Sequence, residues 1–181
     1  MMKCAAPTPE ALPAALRAAA EPRLILLTGG RGSGKTRWCM ALCEAAQRAG
    51  LDVAGVISPA VFANGAKIAI DVQDAATGKR RRLAERPPPG EAGTAGLGWR
   101  FDDAALAWGD RLLSHAPACD LLIVDELGPL EFRGAGGFRH GFAAIEARRW
   151  RLALVVVRPE LCAAAIARWP WISNVFDVDA Q

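Results

Sequence analysis

Four runs along the chain are apolar at every position rather than at every second one: Leu24–Leu27, Val53–Ile57, Leu121–Val124 and Leu152–Val157. Runs of this length, bounded by polar residues or glycine, predict strands buried on both faces, the habit of a parallel sheet. Between them lie stretches of helical composition, Thr36–Ala49 stopping at Gly50, Asp102–His115 with Asp102 as its cap, Phe138–Arg149 and Pro159–Arg168, followed by a short strand at Val175–Val178. Near the start, Thr8-Pro9-Glu10 ahead of Ala11–Ala20 predicts a short helix with Thr8 as N-cap and proline in its first turn. Strands alternating with helices imply an α/β fold with a mostly parallel sheet flanked by helices.

Residues 60–84 break the alternation. Lys67–Val72 and Arg80–Leu83 are β-like runs separated by turn signals at Asn64-Gly65 and Thr77-Gly78, which predicts a small antiparallel β insert. Arg86–Gly98 is rich in proline and glycine and reads as a loop.

The first strand runs directly into Gly29-Gly30-Arg31-Gly32-Ser33-Gly34-Lys35-Thr36 and then a helix. This is the complete G-x-x-x-x-G-K-[ST] phosphate loop in the strand–loop–helix context it requires. Glycines let successive N–H groups and the helix N-terminus face a polyphosphate; Lys35 is placed for the β- and γ-phosphates, and the Thr36 hydroxyl for Mg²⁺. The second half of such a site is an acid at the end of a buried strand, and Leu121–Val124 ends in Asp125-Glu126. An Asp there emerges at the carboxyl edge of the sheet, where ligands of open α/β sheets bind. Asp125 is the candidate metal-binding acid, and Glu126 the candidate base that orients or deprotonates the attacking water. Arg31, Arg133 and Arg158 are candidates for a cation on the γ-phosphate, Arg31 first among them because it lies within the loop.

Composition narrows the rest. With 181 residues, 52% hydrophobic and 23% charged, the chain suits one globular domain spanning 1–181, with an N-terminal helix in 1–22 and the insert and loop in 60–98. A net charge of +3 does not require a nucleic-acid partner. Only four of the 22 basic residues are lysine (Lys3, Lys35, Lys67 and Lys79), so a lysine in a functional loop is less readily filler. The one basic run, Lys79-Arg80-Arg81-Arg82, suits a solvated strand edge better than a partner surface. Trp38, two residues past the loop threonine, is a candidate to pack near a nucleotide. Five cysteines without a C-x-x-C pair, and no apolar signal core, suit a reduced cytoplasmic protein; no eighteen apolar residues run together to span a membrane.

The segment Asp125-Glu126-Leu127-Gly128-Pro129-Leu130-Glu131, together with the phosphate loop, the Gly55–Pro59 strand and the Thr77-Gly78 to Leu83-Ala84 hairpin, resembles the THEP-type, or cancer-related, nucleoside-triphosphatases. The resemblance covers about residues 23–178. It implies the P-loop NTPase fold with a small β insert and slow, Mg²⁺-dependent hydrolysis of ATP, GTP and other nucleoside triphosphates to diphosphate and phosphate. By position it implies nucleotide binding by Gly29–Thr36, a metal role for Asp125, a base role for Glu126, and a second acid at Glu131. Pro129 stands where many members have lysine, and Ala60 where an acid often follows the second strand. Two other readings use the same loop: a kinase for a nucleotide or small metabolite, and a nucleotide-dependent module acting on an unidentified protein partner.

Overall fold

The computed structural model describes residues 3–18, 21–88, 90–93 and 98–180. Its strands are β1 (Lys3–Ala5), β2 (Arg23–Thr28), β3 (Val53–Ile57), β4 (Ala60–Ala63), β5 (Ala66–Asp74), β6 (Arg80–Glu85), β7 (Arg100–Phe101), β8 (Cys119–Leu127), β9 (Trp150–Val157) and β10 (Ile172–Asp177). The helices are α1 (Leu12–Ala18), α2 (Lys35–Arg48), α3 (Asp103–Ser114), α4 (Pro129–Phe132), α5 (His140–Glu146) and α6 (Cys162–Arg168).

The strands form one sheet in the order β1-β10-β2-β9-β8-β3-β5-β6-β7, with β4 paired to β5. From β1 to β3 every pairing is parallel; from β3 outward every pairing is antiparallel. The apolar runs are buried on both faces because alternate side chains enter different cores. Leu24 and Leu26 of β2 join Val56, Val124 and Val155 in a core under α3, α5 and α6. Ile25 and Leu27 join Ile57, Ile123, Leu154 and Val156 in a second core under α1 and α2.

The insert differs from a self-contained hairpin. β5 bonds antiparallel to β3, with Gln73 opposite Ile57, so the insert prolongs the main sheet. Because β3 ends at Ile57, the preceding residues of β5 run on past the carboxyl edge of the parallel strands. Asn64-Gly65 makes the turn between β4 and β5, both residues at positive φ. Asp102 caps α3 by accepting from the Ala105 N–H at 2.7 Å. Thr8 makes no such side-chain bond; Pro9–Ala11 form a 3-10 turn, and the helix begins at Leu12. Residues 19 and 20 of the expected first helix, and 89 and 94–97 of the expected loop, lie outside the described residues. β1 is an unpredicted edge strand, three exposed residues with no apolar pattern to reveal them.

Candidate active site

β2 ends at the fully buried Thr28, and the chain turns through Gly29–Gly34 before α2 starts at Lys35. Two of these glycines show why the loop needs them. Gly34, the residue before the helix, has φ +98°, a conformation that costs any residue with a Cβ. A Cβ on Gly29 would lie 2.6 Å from Val178 Cγ2 and 2.8 Å from Ser33 Oγ. Lys35 is buried and folds back over the loop, donating to the carbonyls of Gly29 at 2.8 Å and Gly30 at 2.7 Å. The Gly30 N–H donates to Asp179 Oδ2 at 2.6 Å, so the segment after β10 tethers the start of the loop. Ser33 Oγ is buried with no hydrogen-bond partner among the described residues. Arg31 is exposed.

Across the sheet edge stands the end of β8. Asp125 is 2% exposed, and its Oδ2 accepts from the Ser58 N–H at 3.1 Å, while the Ser58 hydroxyl donates to the Asp125 carbonyl. The Thr36 side chain lies close enough to the same carboxylate to favour its charged form, so the first helical turn of α2 and the end of β8 are neighbours. Burial, reinforced by the neighbouring Glu126 charge, pushes the Asp125 carboxyl up to about 6, against the opposing pull of Ser58, Thr36 and Lys35. Such a carboxylate is short of positive charge. Glu126, joined to Asp125 by a cis peptide bond, accepts at Oε1 from both Nε and Nη2 of Arg158, each at 2.9 Å.

Among the described residues no three or more His, Cys, Asp or Glu gather into a metal cage. One hydroxyl and one carboxylate, Thr36 and Asp125, nevertheless fit Mg²⁺, which keeps several waters and takes substrate phosphates as ligands.

Other candidates are placed elsewhere. Glu131 accepts from the Gly128 N–H at 2.8 Å and from the Phe138 N–H at 2.9 Å, clamping the two ends of the segment between them. Burial pushes its carboxyl up, against the opposing pull of the Phe138 and Gly128 N–H groups. Arg133 is exposed. The Trp38 indole donates to the Pro7 carbonyl at 3.0 Å and packs on the second core, anchoring the N-terminal segment. The basic run is engaged internally: Arg80 donates to Gln73, Arg82 pairs with Asp71 and Glu85, and Arg81 lies over Trp108. One residue enters the site's electrostatics without having been picked out by a motif. Lys67 of β5 feels the charges of Glu126, Arg31, Asp125 and Arg158. The scarcity of lysine is the only trace of it in the sequence.

The sequence profile of the family described as NTPase matches residues 24–163. The nucleoside-triphosphatase THEP1 of Methanothermobacter thermautotrophicus is 34% identical over 113 residues, 60% of this chain and 62% of that protein. The THEP1 nucleoside-triphosphatase of Methanopyrus kandleri is 29% identical over 113 residues, 62% of this chain and 61% of that protein. The matches thus span about three-fifths of the length of these curated relatives. In fold, a human cancer-related nucleoside triphosphatase aligns with TM-score 0.56 at 19% identity, covering 86% of this chain and 88% of that one. THEP1 from Aquifex aeolicus aligns with TM-score 0.52 at 12% identity, covering 86% and 89%. These likenesses establish the P-loop NTPase fold, and the profile match along most of its length makes this chain a member of the NTPase family.

Proposed function

We propose that this protein is a Mg²⁺-dependent nucleoside-triphosphatase that hydrolyses ATP, GTP and related triphosphates to diphosphate and phosphate. The observation that carries the reading is the buried Asp125 at a strand end beside Thr36 and Lys35 of a complete phosphate loop. The names of the THEP1 relatives support the same activity.

In this reading the N–H groups of the loop and of the α2 N-terminus face the phosphates. The orphaned Ser33 hydroxyl supports an acceptor belonging to the substrate. Lys35 exchanges its two loop carbonyls for β- and γ-phosphate oxygens, trading neutral acceptors for charged ones. Thr36 and Asp125 would hold Mg²⁺, which would supply neutralisation of phosphate charge. Glu126, oriented by Arg158, accepts a proton from a water whose oxygen bonds to the γ-phosphorus. The bond from that phosphorus to the β–γ bridging oxygen breaks, and its electron pair leaves with the diphosphate.

Phosphate release measured with Mg²⁺ and each triphosphate tests the proposal. Stoichiometric diphosphate and free phosphate are expected, falling to background with excess chelator. Phosphate appearing on an added nucleoside or metabolite instead of free in solution would replace hydrolysis by a kinase reaction.

A further inference from the structure

Cations from the phosphate loop and from the residue after β9 act on a lysine of the β insert. Arg31 comes from the loop, and Arg158 from the end of β9. Lys67 comes from β5, beyond the point where that strand leaves β3 behind. Asp71 of β5 donates its N–H to the Pro59 carbonyl at 2.9 Å, and Ala60 pairs with Ile70. The β4–β5 hairpin therefore rises directly from the residues that follow Ser58, the partner of Asp125.

Lys67 makes no ion pair with any described residue. Its ammonium rests 5.1 Å from the centre of the Trp99 ring, on a platform shared with Arg86 at 5.7 Å. Arg86 Nε also donates to the Lys67 carbonyl at 2.9 Å, which fixes the backbone from which the lysine extends. This half-buried ammonium rests on an aromatic face, with no carboxylate in ion-pair contact among the described residues. Arg31 and Arg158 act on Lys67 as like charges, and of the two acids that act on it, Asp125 and Glu126, Glu126 is already held by Arg158. A phosphate anion would offset this crowding of positive charge.

We propose that Lys67 is a substrate-contacting residue that engages the terminal phosphate of a bound nucleoside triphosphate, so that the β insert distinguishes triphosphate from diphosphate. This rests on the nucleoside-triphosphatase reading above. Glu126 heads the charges that act on Lys67, and Glu126 is the acid assigned to the γ-phosphate side of the site. Burial lowers the Lys67 ammonium below the usual lysine range, a penalty that a phosphate anion would offset. The insert thus supplies in cis a cation of the kind that other phosphoryl-transfer proteins take from a partner. A diphosphate ends short of Glu126 and offers Lys67 nothing to bind.

Calorimetry of the full chain with Mg²⁺ tests the inference, using a non-hydrolysable triphosphate and the matching diphosphate as ligands. Lys67→Met keeps the aliphatic stem over Trp99 and removes only the charge. It should weaken triphosphate binding by about 10-fold or more, the scale of one charge-assisted hydrogen bond, and leave diphosphate affinity within about two-fold. Lys67→Arg should restore most of the loss. Equal binding of the triphosphate by Lys67→Met and wild type would overturn the inference while leaving the hydrolase reading intact. Parallel loss of both ligands would overturn it too. Wild-type protein that binds neither nucleotide would remove the hydrolase reading itself, and this inference with it.

Discussion

Glu131 illustrates how a residue's neighbours decide between chemistry and architecture. Both of its carboxylate oxygens are taken by backbone N–H groups, from Gly128 and Phe138, at normal hydrogen-bond lengths. An acid so occupied closes a loop. Glu131→Ala strands two N–H groups, and urea unfolding should show a loss of about 2 kcal/mol, discounted from two charged hydrogen bonds because the site is not wholly enclosed. The same variant should still bind nucleotide. Glu126, five residues earlier, is partly exposed and, among the described residues, bonds through its side chain only to the Arg158 guanidinium. The motif that contains both acids made them look alike, and only the three-dimensional partners separate them. Lys35 and Asp125 were legible because their chemistry is written in local order: loop, strand end, helix start. Arg158 was legible only as one of three candidate cations, and neither its pairing with Glu126 nor the place of Lys67 could be read, since both depend on strands far apart in the chain.

At the scale of elements, the paired cores explain why the apolar runs could be read as strands and why their neighbours could not. A continuous run such as Leu24–Leu27 announces burial on both faces but says nothing of which strand lies beside it. β2 proved to sit between β10 and β9 rather than beside β3. The insert was legible as antiparallel through its turn signals, whereas its bonding to β3 depends on backbone register that composition does not encode. Helix α2 carries Cys39 and Cys43 on its core face, where burial pushes the Cys39 thiol well up and the Cys43 thiol to about 11. Cys119, at the start of β8, is raised to about 11 by the same cause. Raised thiols are almost wholly protonated at pH 8, and protonated thiols do not attack alkylating reagents. The exposed Cys4 should therefore label rapidly in native protein, while Cys39, Cys43 and Cys162 label only on unfolding. Fast modification of either α2 cysteine in the native state, read by mass spectrometry, would contradict the packing of α2 on the sheet.

Across the whole molecule, the described strands form one sheet, and the β insert is bonded into it. Unfolding should accordingly be one cooperative transition, with circular dichroism and tryptophan fluorescence melting together. A separate early transition would mean that the insert is stabilised independently of the β3–β5 pairing. The sheet's role in function is to bring four chain segments to one edge: the phosphate loop after β2, Ser58 after β3, Asp125-Glu126 in β8 and Arg158 after β9. Their convergence is what turns a phosphate-binding motif into a candidate hydrolytic centre. The most direct test of that claim compares wild type with Glu126→Gln for phosphate release and for binding of a non-hydrolysable triphosphate, both with Mg²⁺. If Glu126 is the proposed base, its loss should slow turnover by about 10² to 10⁴, with binding preserved. Turnover by Glu126→Gln at the wild-type rate would contradict the account.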